Sequence, residues 1–338
     1  MRILITGGAG FIGSTLGREL RRQQHYVVGL DDLSRGYLEN LEDGGFQSFD
    51  EFHVGDVRQA EDLRCCEGID AVVHLAAVSN LANCESDPRT CWDVNVGGTV
   101  EVVQACRRYG VGRLVFASTS AVYENCPVPI RSVDLPQHPP TLQYSQSKWA
   151  CEGLLNGFSD NYGIPVSILR LFNVYGPHQD IKRKNPALVG YMIGSLIGGR
   201  SPVLFADADY PRDYVYVDDV VCALVDALTP PVRSGTFDVC SGESAGVETI
   251  YRYVRDVLIE CMSVVEEPTW ENPERYWSTY PTLADPPYPL KSTRIVQEVS
   301  KQVVMASAVN SLQLTWKPAT TLQAGLRKCC RVALRASK

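Results

Sequence analysis

Short apolar runs alternate with longer amphipathic stretches through the first half of the chain. Most of the runs are rich in isoleucine, leucine and valine, which is typical of strands buried on both faces of a parallel sheet. They cover Arg2–Thr6, Tyr26–Leu30, Phe52–Val54, Ala71–Ala77, Arg113–Ala117 and Val166–Leu171. The alternation of these strands with helical segments predicts a doubly wound α/β sheet with helices on both faces.

The alternation of strands and helical segments is less regular in the second half of the chain. The elements predicted there are a strand and helix start at Arg212–Asp219, a strand at Phe237–Gly242 and an amphipathic run at Leu322–Leu334. Residues 266–289 are crowded with proline, tryptophan and tyrosine, a composition of irregular structure. We predict a first domain over residues 1–175, to which residues from about 213 to 242 return. Residues 176–338 mainly form a smaller α/β region.

Two loops are predicted near the carboxyl ends of the strands. The proline-rich connection from Pro127 to Pro140 is predicted to lie on the surface. The basic run Lys182-Arg183-Lys184 is typical of a solvated loop and falls beside the predicted ligand crevice.

Composition and charge are those of an ordinary soluble protein. The 338 residues carry a net charge of -7, which gives no electrostatic reason to expect nucleic acid binding. No signal peptide is recognisable, and no apolar stretch approaches the roughly 20 residues of a membrane helix. We expect a cytoplasmic protein whose twelve scattered cysteines are reduced. The five histidines are not grouped with cysteine at ligand spacing, so no metal site is expected.

Three glycines follow the first predicted strand and open the first predicted helix. Gly7, Gly10 and Gly13 allow a tight turn, a close approach of phosphate and close packing of the helix on the strand. The N–H groups at such a helix N-terminus bind pyrophosphate. Their place at the first strand-to-helix junction disfavours the alternative of a merely flexible loop.

Carboxylates end the second and third predicted strands. Asp31 and Asp32 come about twenty residues after the glycines, where a carboxylate accepts hydrogen bonds from adenosine ribose hydroxyls and selects NAD over NADP. Asp32 is alternatively a turn carboxylate, and the nearby Arg35 leaves NADP open. Asp56 ends the third strand, where it can reach the adenine amino group.

Small and polar residues follow the fourth and fifth strands. The small side chains of Leu75-Ala76-Ala77 let the backbone pass close to a cofactor. Asn95 lies inside the predicted helix Pro88–Tyr109, where asparagine is unfavourable unless its amide has a partner, of which a backbone carbonyl is the simplest. The hydroxyl cluster Ser118-Thr119-Ser120 ends the fifth strand and points into the ligand crevice of a doubly wound sheet.

Tyr144 and Lys148 stand four positions apart at the start of a predicted helix and therefore share one face. A nearby cation favours the phenolate and lowers the tyrosine pKa from its unperturbed value of about 10. The pair is a candidate proton acceptor near neutral pH. Ordinary amphipathic helices carry such pairs too, so this interpretation depends on the cofactor site predicted around it.

Together these motifs resemble the extended short-chain dehydrogenase/reductase family, in its NAD-dependent nucleotide-sugar epimerase and dehydratase branch. The pattern is most similar to the UDP-glucose 4-epimerase-like members. The motifs that carry the resemblance are Thr6–Gly13, Asp31–Gly36, His74–Ala77, Tyr144–Lys148, Arg170–Pro177 and Arg212–Asp219. The resemblance implies a Rossmann-type sheet in which residues 1–175 bind NAD and residues 176–338 mainly bind a nucleotide-diphosphate sugar. It also implies a homodimer.

The resemblance implies a role for individual residues. Thr119 would bond the sugar 4-OH, Tyr144 would act as acid and base, Lys148 would hold the nicotinamide ribose, and Asn173 and Arg212 would contact the substrate diphosphate. The predicted cofactor-binding residues are Gly7, Gly10, Phe11, Ile12, Gly13, Asp31, Asp32, Asp56, Val57, Leu75, Ala76, Ala77, Asn95, Ser118, Tyr144 and Lys148. The predicted substrate-binding residues are Ser79, Thr119, Ser120, Asn173 and Arg212.

The residues after Thr119 bear on the reaction. Related dehydratases place Asp-Glu there, and decarboxylating relatives place Glu at the second position, but this chain has Ser120-Ala121. Without that carboxyl the site is suited to one proton transfer and one hydride transfer, as 4-epimerisation through a transient 4-keto sugar requires. A dehydratase or reductase is the alternative, and a non-catalytic NAD-binding regulatory protein is a second one.

Two departures from the family pattern bear on the substrate. Glu124 follows Tyr123 where relatives usually have glycine. The usual Arg-x-Gly-Asp contact near the C-terminus is not recognisable, and Arg275 and Arg294 are both candidates for its arginine.

Overall fold

A computed structural model of the protein describes residues 1–124, 126, 128–130, 139–179, 186–231, 234–305 and 315–336. The basic run at 182–184 and most of the predicted loop at 127–140 lie outside these ranges. The strands are β1 (Arg2–Thr6), β2 (Tyr26–Asp31), β3 (Glu42–Asp43), β4 (Phe46–Gln47), β5 (Glu51–Val54), β6 (Ala71–His74), β7 (Arg113–Thr119), β8 (Val166–Leu171), β9 (Asn173–Tyr175), β10 (Val203–Leu204), β11 (Arg212–Tyr216), β12 (Gly235–Val239), β13 (Ser244–Ala245) and β14 (Thr269–Trp270). The helices are α1 (Phe11–Arg22), α2 (Leu81–Ser86), α3 (Pro88–Trp92), α4 (Gly98–Tyr109), α5 (Gln143–Tyr162), α6 (Leu188–Ile197), α7 (Val217–Leu228), α8 (Val247–Leu258), α9 (Ser292–Ser300) and α10 (Leu322–Ala336).

A seven-stranded sheet forms the centre of the fold. Its strand order is β12-β8-β7-β6-β1-β2-β5, and all of its neighbouring strands are parallel. This confirms the predicted doubly wound α/β fold of the Rossmann type. Because parallel strands carry their carboxyl ends to one edge, the residues that follow them collect along a single crevice.

Side chains of β1 alternate between the two faces of this sheet. Ile3 and Ile5 pack into a cluster with residues of α1 and α7, whereas Leu4 packs into a second cluster with residues of α4 and α5. All three side chains are fully buried. The continuous apolar run of β1 thus reflects burial on both faces.

The second half of the chain adds a smaller layer. Strand β11 pairs with β9 and β13 in a three-stranded sheet, and a third apolar cluster lies between this sheet and α6, α8 and α10. Strand β12 joins the edge of the central sheet next to β8. The proposed division at residue 175 stays a prediction.

The helix predicted from Pro88 to Tyr109 is interrupted. A π-helical turn, Asp93–Gly97, separates α3 from α4 and has the buried Asn95 at its centre. Such turns are frequent at functional sites of proteins.

Among the described residues, no helix has the length and apolar character needed to cross a lipid bilayer.

The turn between β1 and α1 requires glycine at two positions. Gly7 has φ +71°, and a Cβ there would lie 2.7 Å from the Ala76 nitrogen of the neighbouring strand connection. A Cβ at Gly13 would lie 2.2 Å from the carbonyl oxygen of Gly7. The turn is therefore closed by backbone atoms that cannot move aside cheaply.

We expect Gly13→Ala to lower the free energy of unfolding by about 1–3 kcal/mol, as overpacking does. The matched control is Gly153→Ala on the exposed side of α5, where a new Cβ meets nothing within 4 Å. That change should raise the free energy of unfolding by about 0.5–1 kcal/mol, because alanine is the better helix former. Urea denaturation of both variants measures the difference, and equal effects would contradict the packing argument.

Candidate active site

The glycine turn presents backbone donors at the start of α1. Gly10 is the residue before the helix, and no side chain among the described residues caps it. The first N–H groups of α1 belong to Phe11, Ile12 and Gly13, and groups at that position have no partner within the helix. The helix dipole adds positive charge there. These backbone donors at a helix N-terminus fit the pyrophosphate of a dinucleotide.

The two aspartates at the end of β2, Asp31 and Asp32, have different environments. Asp31 is buried, and its carboxylate accepts hydrogen bonds from the backbone N–H of Ala9 at 3.0 Å and of Leu33 at 2.8 Å. Burial raises the pKa of Asp31, and these two bonds work against that shift. Asp32 is exposed and bonds the N–H and hydroxyl of Ser34. Asp31 is thus fixed beside the glycine turn, whereas Asp32 forms the turn predicted as its alternative role.

Asp56 and Val57 continue the predicted adenosine side. The Asp56 carboxylate is bonded by the guanidinium and the backbone N–H of Arg58, which hold its pKa below the usual range. Val57 is buried and packs against Gly98 at the start of α4.

Arg35, which left NADP open, has protein partners. In the orientation that satisfies both amide atoms of Asn83, the amide oxygen accepts from the two Nη atoms of Arg35 at 2.9 and 3.0 Å. The amide nitrogen donates to the Tyr280 hydroxyl at 2.9 Å. The guanidinium therefore ties the loop after β2 to α2 and to the C-terminal region.

Asn95 is the centre of a buried polar network. Its Oδ1 accepts from the Val78 N–H at 2.7 Å, while its Nδ2 donates to the Val78 carbonyl at 3.1 Å and to the Ser147 hydroxyl at 2.9 Å. The Ser147 hydroxyl donates to the Tyr144 carbonyl at 2.8 Å. The predicted backbone bond is present, but the amide also connects the chain after β6 to the first turn of α5. Leu75, Ala76 and Ala77 lie in that half-buried chain.

Lys148 is buried between α5 and β7. Its Nζ donates to the Ala117 carbonyl at 2.8 Å and lies 4.5 Å from the centre of the Phe116 ring. Burial lowers the pKa of Lys148. Burial and the Lys148 charge together lower the pKa of His74, on the adjacent strand β6, to about 3. A cation is thus held beside the carboxyl end of the central strands.

Tyr144 is half-buried and occupies the second position of α5, one turn before Lys148. The N–H of Gln143 donates to the Glu85 carboxylate at 2.6 Å, and the Trp92 indole donates to the Gln143 side chain at 2.8 Å. These contacts from α2 and α3 fix the start of α5. Tyr144 and Lys148 therefore share a face of a helix whose first turn is anchored from several sides.

The hydroxyl groups at the end of β7 have different bonding partners. Thr119 is buried at the strand end, and its hydroxyl oxygen accepts from the Ala121 N–H at 3.1 Å. Ser120 begins the short 3₁₀ turn Ser120–Tyr123. The Ser118 hydroxyl donates to the Glu152 carboxylate, so this side chain is directed into the protein. A cofactor contact of Ser118 stays a prediction.

Glu152 was missed by the sequence interpretation. Its carboxylate makes a two-pronged ion pair with Arg170 of β8, at 3.0 and 2.6 Å, and both side chains are buried. Burial opposes the charge on Arg170, but Glu152 outweighs it and raises the pKa of the guanidinium. Arg170 also donates to the Tyr123 hydroxyl, which donates to Asp238 of β12, both at 2.8 Å. The signal was present in the sequence, because Glu152 follows Lys148 at the same spacing of four.

The predicted substrate residues other than Thr119 and Ser120 lie in β9 and β11 or near α2. Asn173 of β9 donates to the Asp213 carbonyl at 2.8 Å. The Arg212 guanidinium bonds the carbonyls of Glu298 at 2.6 Å and of Lys301 at 3.3 Å, at the end of α9. Ser79 is exposed just before α2. Their contacts with a substrate stay predictions.

Comparisons with known proteins identify the family to which this fold belongs. The model of the NAD dependent epimerase/dehydratase family matches residues 3–240. The UDP-glucose 4-epimerase of Mycolicibacterium smegmatis is 34% identical over 331 residues, which are 97% of each chain. A UDP-glucose 4-epimerase of Thermotoga maritima, solved with UDP-glucose, superimposes with a TM-score of 0.82 at 26% identity over 100% of both chains. The Thermus thermophilus UDP-glucose 4-epimerase, solved in complex with NAD, gives 0.79 at 29% identity over 98% of both.

These matches cover most of the chain and confirm the predicted resemblance and the NAD cofactor. The fold is the same along nearly the whole length of the solved relatives. The chain therefore belongs to the NAD-dependent epimerase/dehydratase family.

Proposed function

We propose that this protein is an NAD-dependent nucleotide-sugar 4-epimerase that acts by transient oxidation at C4 of the sugar. The substrate would be a UDP-hexose, a UDP-N-acetylhexosamine or a UDP-hexuronate. The observation that carries the proposal is the set of Thr119, Tyr144 and Lys148 at one crevice edge, with Ser120 and Ala121 in place of acidic residues.

The chain's own groups have the chemistry for the proton transfer. Thr119 would orient the sugar 4-OH, and Tyr144 would take its proton and later return it. The buried ammonium of Lys148 would stabilise the phenolate and hold the nicotinamide ribose. NAD, when bound in the cradle of the glycine turn, supplies the hydride acceptor.

Glu152, which bonds Ser118 of β7, and Glu124, which follows the turn after β7, both have partners. Glu152 is paired with Arg170, and Glu124 is bonded by Thr141 and Arg294. A 4,6-dehydratase needs a free acid and base for the C5 proton and the C6 hydroxyl, so these ion pairs favour epimerisation. The family also contains dehydratases, which keeps elimination as the second candidate.

The nucleotide assignment rests on relatives whose names specify UDP-glucose. The diphosphate would lie between Asn173 and Arg212. A homodimer and a cytoplasmic location stay predictions of the sequence.

Tyr144→Phe should lower kcat by about 10²–10⁴-fold, the contribution expected of a general base. The Kd for NAD should change little, because the ring remains. Tyr162→Phe at the exposed end of the same helix is the matched control and should leave both values unchanged. Steady-state kinetics and calorimetric NAD titration give the two quantities. Wild-type activity in Tyr144→Phe would refute the role of the phenol.

Product analysis separates the candidate reactions. Incubation with UDP-glucose, UDP-N-acetylglucosamine and UDP-glucuronate, with NAD present, should yield the 4-epimer of at least one sugar by chromatography. A stable 4-keto product would indicate a dehydratase, and net change at the NADH absorbance band would indicate a reductase. NAD binding without turnover of any nucleotide sugar would favour the regulatory alternative.

Lys148→Met should abolish activity without destabilising the NAD-free protein. A methionine of similar volume removes the burial cost of the ammonium, which offsets the loss of its bond to the Ala117 carbonyl. We expect the free energy of unfolding to fall by no more than about 1 kcal/mol. Lys328→Met, at a largely exposed position of α10, is the control and should keep full activity. A large loss of stability in Lys148→Met would show that the ammonium is needed by the fold itself.

A further inference from the structure

Glu124 lies between the two segments that carry the predicted catalytic groups. It directly follows the 3₁₀ turn Ser120–Tyr123, which continues from Thr119. Its carboxylate accepts hydrogen bonds from the Thr141 N–H at 2.9 Å and from the Thr141 hydroxyl at 2.6 Å. Thr141 comes two positions before α5 begins. One side chain therefore links the end of the Thr119 strand to the start of the Tyr144 helix.

Arg294 of α9 completes this arrangement. Its Nη2 donates to the Glu124 carboxylate and to the Thr141 hydroxyl oxygen. The Glu124 side chain is only 6% exposed, so water screens this ion pair less than a surface pair. Burial disfavours the charged form of Glu124, but the bonds from Thr141 and Arg294 outweigh it and lower its pKa. The carboxylate is thus ionised at neutral pH and holds both partners.

Apolar packing supports the same junction. Leu142, the residue before α5, and Ile295 of α9 belong to one buried cluster with Trp277 and Tyr280. The aromatic segment that the sequence marked as irregular therefore packs against the start of α5. The hydrogen bonds of Glu124 lie at a contact that is already close-packed. Close-packed contacts transmit strain, so a small displacement of Glu124 moves the start of α5.

The other end of α9 reaches the predicted substrate side. Carbonyls of Glu298, Val299 and Lys301 accept hydrogen bonds from the Arg212 guanidinium. This one helix contacts Arg212 at its C-terminal end and Glu124, through Arg294, near its N-terminal end. A displacement of Arg212 or of Glu124 is therefore transmitted to the other through the nine residues of α9.

We propose that Glu124 is a positioning residue, which together with Arg294 fixes the first turn of α5, and hence Tyr144, relative to Thr119. Its kinetic consequence rests on the proposed function. The contacts of the carboxylate are with Thr141 and Arg294, so it acts through them and not on the reacting atoms. It also connects the two departures from the family pattern, because the unusual Glu124 and one of the two unplaced arginines bond each other.

The test compares Glu124→Ala, Arg294→Ala and the double variant. Each single change should lower kcat by about 10–100-fold, since misplacement by about 1 Å is enough for such a loss. The KM for the nucleotide sugar and the Kd for NAD should stay within about twofold, because the proposal gives Glu124 and Arg294 protein partners and no contact with either ligand. The double variant should be no slower than the slower single variant, because the two side chains act as one unit.

Two further variants complete the design. Glu124→Gln keeps an acceptor for Thr141 and should restore part of the lost kcat; it also replaces Glu124→Ala if that variant does not fold. Arg327→Ala removes an ion pair with Glu260 that lies on the surface between α10 and the chain after α8, and it should leave kcat unchanged. Thermal unfolding of each variant shows whether the fold is retained.

Hydrogen exchange of a peptide covering residues 141–148 gives a readout that needs no turnover. In Glu124→Ala this peptide should exchange faster than in the wild type, and in Arg327→Ala it should not. If the wild type turns over no nucleotide sugar, the proposed function fails while this measurement still tests the junction. Unchanged exchange, an unchanged kcat, additive losses, or a raised KM at constant kcat would each overturn the inference.

Discussion

Burial of the Lys148 ammonium is the constraint on which the rest of the site depends. The charge lies between α5 and β7, bonded to the Ala117 carbonyl, and burial lowers its pKa. A desolvated charge costs stability unless its surroundings are held in a fixed geometry that compensates it. The helix must therefore stay tightly against the strand. One turn further along α5, the ion pair of Glu152 with Arg170 and the bond from Ser118 to Glu152 hold the helix against β7 and β8.

One face of α5 thus carries three polar side chains at a constant spacing of four residues. Tyr144 is half-buried at the crevice, Lys148 is buried beside the strand end, and Glu152 is buried in an ion pair below it. The spacing of four places these side chains one above another on the helix. The predicted proton acceptor Tyr144 lies one turn before the Lys148 cation, and the ion pair of Glu152 lies one turn after it. The same helix is anchored at its first turn by Asn95, through Ser147.

Local patterns predicted the central sheet well, because its strands are buried on both faces and follow one another regularly. The predicted bounds of β1 and β8 agree with the structure, and β2 extends the prediction by one residue, Asp31. The π turn at Asn95 was not predictable, since its partners Val78 and Ser147 come from distant segments. The pairing of Glu124 with Arg294 joins residues 170 positions apart, so no local signal pointed to it. The binding roles of individual residues also depend on where the ligand lies. A sequence motif implies that position only by resemblance to related proteins.

The C-terminal side is built differently from the cofactor side, with small sheets of two or three strands in place of the seven-stranded sheet. Its strands β10, β13 and β14 have two residues each, Arg212 bonds backbone carbonyls at the end of α9, and Arg294 of α9 bonds Glu124. The bonds from Arg212 to α9 use Nε and Nη2, whereas a guanidinium has five donors in all. Holding α9 and binding a diphosphate are therefore compatible tasks for one arginine. This region meets the start of α5 through Arg294 of α9, which bonds Glu124 and Thr141. Arg294, a candidate for the missing arginine, lies on this side, whereas Glu124 follows the turn after β7, so the bond between them joins the C-terminal side to the central sheet.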